Sequence, residues 1–239
     1  MNNSEEKNSI LEPSIPADYF RFREKSLWQR LSGHILTVHI HRKNVRKACF
    51  RIGLYFQGLT HDLSKYAPSE FILSVKYYDG TKSPNAIDRR LNGCSRAWLH
   101  HKGRNRHHYE YWIDFMGEPV NGPFGCKMPL KYVAEMVCDR RAACIAYHGS
   151  SYTQADPYNY YVKTLEHVIM HPDTRFVLET ALIKMRDSGD EAAFAFLKKP
   201  FPSQKVPTIP GRPSPRYCKL TQDSNLPPDH IPVLCSEWR

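Results

Sequence analysis

Apolar residues recur every three or four positions along most of the chain, and polar or basic residues fill the intervals. This spacing is typical of amphipathic helices, each with one face turned toward a core. Glycines and prolines divide the pattern, and the prolines at 68, 129 and 172 are well placed to begin helices. No stretch alternates apolar and polar residues for long enough to indicate a sheet, so the predicted fold class is all-α. The predicted helices span residues 17–33, 34–55, 68–78, 86–101, 107–115, 129–147, 156–170, 172–186 and 190–199.

The polar and proline-rich ends of the 239-residue chain define its predicted organisation. Residues 1–14 are polar and are expected to form a flexible N-terminus. Residues 15–199 carry the helical pattern and are long enough for one domain with its own core. Residues 200–239 contain nine prolines and few apolar runs, so we predict a Pro-rich disordered C-terminal tail.

Charge and cysteine content narrow the classes of partner and compartment. Lys and Arg exceed Asp and Glu by 34 to 24, a net charge of +10 that favours anionic partners. We expect a phosphate-containing small molecule, with nucleic acid as a second compatible partner. The seven cysteines form no Cys-x-x-Cys pair and are odd in number, which argues against a disulfide framework and for a reducing compartment. No signal sequence or long apolar run is present, so we expect no membrane partner and a cytoplasmic location.

The first candidate for chemistry is the segment GLTHDLSK at 58–65, which places His61 beside Asp62 and Lys65 three positions later. An imidazole and a carboxylate are common ligands of divalent metals. A lysine one helical turn beyond lies on the same side and is suited to hold an anionic group near the metal. Thr60 is a candidate N-cap for a helix beginning here, and Pro68 a candidate first residue of the next helix. The alternatives are a chance dipeptide and a surface lysine paired with Glu70.

Further histidines and carboxylates extend this candidate site. They lie at positions 34, 39 and 41, at 100 and 101, and at 107 and 108, before the helix that carries Glu135 and Asp139. Glu135 and Asp139 are four residues apart on one face, which suits a metal ligand and its hydrogen-bonded partner. The alternatives are incidental histidines in a wet basic helix–loop–helix, and a solvated acidic face on which Asp139 pairs with Arg140 or Lys131.

This ordered set of motifs resembles an uncharacterised bacterial and phage family, domain of unknown function 5662. More distantly, the order of histidines and aspartates along the helices is similar to that of HD-domain phosphohydrolases, whose multi-metal members carry a similar His-Asp-x-x-Lys segment. The segments that carry the closer resemblance are HRKNV at 41–45, GLTHDLSK at 58–65, PSE at 68–70, AWLHH at 97–101, residues 104–105, 107–108, 111–112 and 128–129, the positions Tyr132, Glu135, Met136 and Asp139, and HPDTR at 171–175.

The resemblance to HD-domain enzymes implies an HD-like helical domain and a set of roles. His41, His61, Asp62 and Asp139 are expected to hold one divalent ion, which could be Fe, Mn, Mg, Co or Zn. His101 and His108 are expected to ligate a second ion and His107 to contact substrate, although each of these three could instead take the other role. Asp62 and Lys65 are the expected catalytic residues.

The implied function is a metal-dependent phosphohydrolase acting on a phosphoester such as a nucleotide, with a metal-bound hydroxide attacking phosphorus. Lys65 and Arg104 would bind substrate and stabilise charge on the phosphoryl oxygens. Two alternatives remain open. One is a metal-binding protein without turnover. The other is a nucleic-acid-binding module with basic residues on phosphates and aromatic residues on bases; these residues are Lys102, Arg104, Arg106, Tyr109, Tyr111 and Trp112.

Overall fold

The computed structural model describes residues 15–117 and 121–198. This part of the chain is mostly helical and contains one small β-hairpin, so the prediction of a helical protein is confirmed. The predicted ends at 1–14 and 200–239 lie outside the described residues. The α-helices are α1 (Leu27–Arg51), α2 (Tyr55–Thr60), α3 (Pro68–Lys76), α4 (Pro84–Asn92), α5 (Arg96–Arg104), α6 (Leu130–His148), α7 (Asp156–Thr164) and α8 (Pro172–Lys198), and the strands are β1 (Ile113–Met116) and β2 (Gly122–Gly125).

The first long helix begins later than predicted and does not stop at Gly33. Residues Ala17–Glu24 form a 3₁₀ helix. Helix α1 then starts at a capping box, in which Ser26 Oγ accepts from the Gln29 amide and Gln29 Oε1 accepts from the Ser26 amide. Gly33 lies inside α1, at a point where the helix passes close to the Tyr78 ring. A Cβ atom at this position would lie 2.4 Å from Tyr78 Cε1, so the close approach requires a glycine.

Two glycines with positive φ interrupt the helical pattern. Gly93 has φ 75° and ends α4, so the predicted helix at 86–101 is two helices. Gly189 has φ 83° and kinks α8 between the two segments predicted at 172–186 and 190–199, so the predicted break is confirmed. The helix predicted at 156–170 ends earlier, because α7 gives way to a 3₁₀ turn at Leu165–His167.

The helix predicted at 107–115 and the expected absence of a sheet are wrong. Residues Tyr109–Trp112 form a 3₁₀ helix, and β1 then pairs antiparallel with β2 in a register that places Ile113 opposite Gly125. The aromatic spacing of this segment resembles a helical stripe, but its backbone pairs across a turn. A side chain at Gly125 would meet the backbone of Met170 and His171 at 2.6–2.7 Å, so the hairpin packs tightly at this point.

The core surrounds the contact between α1 and α6, which pack along each other at the centre of the fold, and α8 covers α6. Val45, Val137, Leu178 and Leu182 are buried completely within one large apolar cluster. Burying each such side chain contributes about 1.5–3 kcal/mol. Among the described helices, none combines the length and the hydropathy that crossing a membrane requires. The described cysteines, Cys49, Cys94, Cys126, Cys138 and Cys144, are free thiols, and the reducing compartment stays a prediction.

Candidate metal centre

The turn that carries His61 and Asp62 joins α2 to α3. Thr60 is the last residue of α2, and its Oγ1 donates to the Phe56 carbonyl, so the prediction that it is an N-cap is wrong. Asp62 has φ 54° and ψ 29°, a left-handed conformation that is uncommon for a non-glycine residue. Residues held in this way often belong to functional sites. Pro68 begins α3, as predicted.

The first donor group combines His41 from α1, His61 and Asp62 from the turn, and Asp139 from α6. His41 Nε2 lies 3.2 Å from His61 Nε2, 3.3 Å from Asp62 Oδ2 and 3.2 Å from Asp139 Oδ1. His61 Nε2 lies 3.3 Å from Asp62 Oδ2 and 3.4 Å from Asp139 Oδ1. Four donors in a tetrahedron around an ion, with bonds of about 2.0–2.1 Å, lie about 3.3–3.4 Å from one another. The group therefore has the spacing of a metal site.

The second donor group faces the other oxygen of the same aspartate. Asp62 Oδ1 lies 3.4 Å from His101 Nε2 and 3.4 Å from His107 Nε2. His108 completes the group, whose donor atoms all lie within 4.8 Å of one another. Asp62 is 1% exposed, so its carboxylate stands between the two donor groups with one oxygen directed at each.

Several donor atoms of the centre are buried without a hydrogen-bond partner in the described part of the protein. They are Asp62 Oδ1, Asp62 Oδ2, His107 Nε2 and His108 Nε2. A buried polar atom without a partner costs about 1–3 kcal/mol, and a charged one costs more. Asp62 Oδ2 faces the first donor group and the other three atoms belong to the second, so the residues present fit cations that would satisfy them.

Two glutamates orient the imidazoles through contacts to Nδ1, the ring nitrogen opposite the Nε2 donor atom. Glu135 Oε1 lies 2.9 Å from His61 Nδ1 and 3.2 Å from His107 Nδ1, and Glu70 Oε2 lies 2.8 Å from His101 Nδ1. An ionised carboxylate only accepts hydrogen bonds, so each Nδ1 carries the proton and donates it. In the neutral imidazole this leaves the Nε2 lone pair of each ring free for a metal. His61, His107 and Glu135 also form a third donor group, which these hydrogen bonds explain.

The four carboxylates of the centre are held ionised. Burial alone would raise the pKa of Asp62, but the charges of His61 and Lys65 hold that pKa well below its usual range. Burial also opposes ionisation of Asp139, Glu135 and Glu70, and hydrogen bonds from adjacent histidines lower the pKa of each. The centre therefore gathers buried negative charge, which needs a nearby cation.

The histidines respond to this charge in opposite ways. Burial alone would lower the pKa of His61, but Asp62 and Asp139 raise it well above the ordinary value, so the ring holds a proton when no cation is present. Burial and the neighbouring charge of His107 lower the pKa of His108 well below the ordinary value, so His108 is neutral. A divalent cation would take the place of the proton on His61 and find a neutral donor in His108.

Lys65 pairs with Asp62 in the centre. Its Nζ lies 2.7 Å from Asp62 Oδ2, and its side chain is 27% exposed. Burial alone would lower the pKa of Lys65, but Asp62 and Asp139 raise it, so the ammonium stays charged. The interpretation in which Lys65 pairs with Glu70 is wrong, because Glu70 bonds to His100 and His101 instead.

The structure brings together all six predicted metal ligands and His107, which lies in the second donor group beside His101 and His108. Within the pair at 100 and 101, His101 faces Asp62, whereas His100 Nδ1 bonds to Glu70. Arg104 lies on the surface at the end of α5, where its Nε donates to His100 Nε2, so it is not among the donor groups.

Asp139 belongs to the metal centre, whereas His34 lies apart from it. Asp139 contacts His41 and His61, so the interpretation of a solvated acidic face is wrong. His34 is buried against the rings of Phe71 and Tyr78, outside the described donor groups. Of the two histidines one heptad apart on α1, only His41 therefore offers a donor to the first group.

The sequence model of one protein family matches residues 30–184, which is more than half of the chain. The chain belongs to the family of unknown function DUF5662. No curated protein and no solved structure matches it. The DUF5662 match spans every residue of both donor groups and both supporting glutamates, so the centre lies within the part of the chain that defines the family.

The hydrogen bond from His101 to Glu70, within the DUF5662 region, is not predictable from the sequence. Glu70 lies 31 positions before His101, and no periodicity along the chain connects the two. Glu135, in contrast, was identifiable because it shares a helix face with Asp139. Ser64 and Asn105 were also missed. Asn105 Nδ2 donates to Ser64 Oγ and to the His101 carbonyl, which supports the last turn of α5, where His101 lies.

Proposed function

We propose that the protein is a metal-dependent phosphohydrolase with two divalent ions, one in each donor group, connected by Asp62. One observation carries the proposal: the two oxygens of a single buried carboxylate face two separate sets of imidazole and carboxylate donors. Pairs of metal ions about 3.5–4 Å apart are common in enzymes that cleave phosphoesters. Divalent ions lower the pKa of water toward neutrality and withdraw charge from phosphoryl oxygens.

The residues around the centre supply the remaining requirements. Lys65 holds its positive charge beside Asp62, where it would contact an anionic phosphoester bound at the centre. A charged donor aimed at developing phosphoryl charge is typically worth about 2–4 kcal/mol. Glu135 and Glu70 fix the rings of His61, His107 and His101, so the centre is organised before substrate arrives.

The donor chemistry favours some metals over others. The second group offers three imidazoles and one carboxylate oxygen, and the first offers two of each. Imidazole donors suit Fe, Co and Zn, and carboxylates also suit Mn, whereas Mg prefers oxygen ligands and retained waters. Among the five metals compatible with the sequence, we therefore favour Fe, Mn, Co or Zn.

The order of the donors along the chain also supports the proposal. A histidine on α1, the His-Asp pair, the later histidines and an aspartate on α6 follow the order seen in HD-domain phosphohydrolases. The shared lysine three residues after the aspartate fits the same comparison. We infer that the centre works as in that superfamily, with a nucleotide or related phosphoester as substrate.

A phosphoester screen tests this proposal. Untagged protein is reconstituted with Mn, Fe, Co or Zn and incubated with nucleotides and aryl phosphates, and Asp62→Ala protein is the matched control. The proposal predicts metal-dependent phosphate release that Asp62→Ala lacks. Stoichiometric metal binding without release of phosphate from any substrate would indicate a metal-binding protein without turnover.

A further inference from the structure

A basic groove opens between α1 and α2, apart from the donor atoms of the metal centre. It is lined by His39, Arg42, Lys43 and Arg46 of α1 and by Leu59 and Tyr66. We propose that this groove binds the phosphate backbone of a single-stranded nucleic acid and that the exposed aromatic side chains beside it stack on the bases. This inference does not depend on the chemistry of the metal centre.

The charge of the groove is not balanced by nearby carboxylates of its own segment. From residue 26 to residue 69 the chain has one acidic side chain, Asp62, which is buried in the metal centre. Lys43 and Arg46 are exposed and form no ion pair with any other residue in the part of the chain that the structure describes. Unpaired basic groups that converge on one concave surface are suited to a polyanion, which gains affinity by releasing its counterions.

The groove is built around a fixed guanidinium. Arg42 Nε donates to the His61 carbonyl at 2.9 Å and Nη2 donates to the Leu59 carbonyl at 3.2 Å. Nη1 lies 3.4 Å from the Tyr66 hydroxyl, and the guanidinium stands over the Tyr66 ring. These contacts orient Arg42 and leave its other N–H groups available. A guanidinium fixed in this way recognises a discrete phosphate better than a diffuse charged surface does.

Aromatic side chains flank the basic groups. Tyr66 lines the groove and is 47% exposed, and Phe56, which lies on α2 three residues before the groove residue Leu59, is 74% exposed. Proteins that bind single-stranded nucleic acids place exposed aromatic rings beside basic groups, because the unpaired bases have free faces on which the rings can stack. A duplex hides those faces, so this surface fits a single strand. Tyr109 and Trp112, which the sequence offers as stacking residues, pack against the core instead.

Fluorescence anisotropy with a labelled single-stranded oligonucleotide of about 12 residues tests the proposal on the full-length protein as purified. A gel run afterwards checks that the oligonucleotide is intact. The groove variant is Lys43→Ala with Arg46→Ala. The matched control is Lys163→Ala with Lys184→Ala, which removes the same charge from exposed positions on α7 and α8. Phe56→Ala tests stacking, and circular dichroism checks that each variant is folded.

The proposal predicts salt-dependent binding by the wild type. The groove variant should bind more weakly, with a salt slope smaller by about 1.4, or about 0.7 for each lost phosphate contact. Phe56→Ala should weaken binding about 5- to 150-fold without changing that slope, and the control pair should bind like the wild type. Absence of binding, or equal weakening by the groove and control pairs, would overturn the proposal. Groove-dependent binding that is tighter to phosphatidylserine vesicles, or to a duplex of the same length, would overturn it in favour of those partners.

Discussion

His61 Nδ1 lies 2.9 Å from Glu135 Oε1, so a carboxylate on α6 determines which nitrogen of His61 faces the metal centre. The same oxygen lies 3.2 Å from Nδ1 of His107, a member of the other donor group. One glutamate therefore supports a ligand in each group from behind, as Asp62 connects the two groups from in front. A substitution of Glu135 or of Asp62 should therefore weaken metal binding in both donor groups.

The first prediction concerns this support. Glu135→Gln keeps the size of the side chain but removes the charge that accepts from both imidazoles. We expect metal affinity to fall about 10- to 100-fold in both donor groups, measured by competition with a fluorescent chelator. Glu70→Gln should weaken only the second group, because Glu70 contacts His101 and no histidine of the first group. Glu179→Gln is the control, since Glu179 accepts from the Tyr161 hydroxyl elsewhere in the fold. Unchanged metal affinity in Glu135→Gln would contradict the orienting role.

The second prediction separates substrate binding from metal binding. Lys65→Ala should keep its bound metal and hydrolyse a phosphoester about 30- to 1000-fold more slowly, the equivalent of about 2–4 kcal/mol. Lys127→Ala is the control, because it removes a lysine whose partner, Asp173, lies on the surface. Metal content and hydrolysis rate are measured on the same preparations. Full activity in Lys65→Ala would show that the lysine does not hold the phosphoryl group.

The third prediction concerns the dependence of stability on pH. Burial and the charge of Lys65 lower the pKa of His34 to about 4, from an ordinary value of 6.5. As pH falls below 6.5, the unfolded chain binds a proton that the folded protein rejects. The contribution of His34 to stability is therefore complete above pH 6.5 and is lost as pH falls toward 4, by about 3 kcal/mol in total.

Urea unfolding between pH 7 and pH 4.5 measures this effect as the difference between the wild type and His34→Leu. The wild type should lose stability relative to the variant as pH falls. Parallel stability curves for the two proteins would show that His34 is not held neutral by the fold.

The residues of the centre could be identified from the sequence where local spacing determines geometry. Glu135 and Asp139 lie one helical turn apart, so they had to share a face wherever α6 packed. His61 and Asp62 are adjacent, and Lys65 follows within one turn. Local spacing could not show that Asp62 adopts a left-handed conformation, or that its two oxygens face different sets of histidines, because both depend on how α1, α5 and α6 assemble.

Backbone features were harder to predict than the helical pattern. Gly33 and Gly93 look alike in the sequence, yet Gly33 lies inside a helix beside Tyr78 and Gly93 ends one with φ 75°. The tertiary contact decides between the two outcomes. The aromatic run at 109–115 has a helical spacing in the sequence. Its last residues form β1 because they pair with β2 at 122–125, and local spacing does not reveal that pairing.

The fourth prediction, the number of metal ions per chain, tests the two-ion centre most directly. Untagged protein is purified without chelators, reconstituted with Mn, Fe, Co or Zn, freed of loose metal and analysed by mass spectrometry of the elements. The account predicts two ions per chain in the wild type. Asp139→Ala should lose the ion of the first group and His108→Ala the ion of the second, whereas Asp62→Ala should lose both. A wild type that binds no more metal than Asp62→Ala would contradict the account.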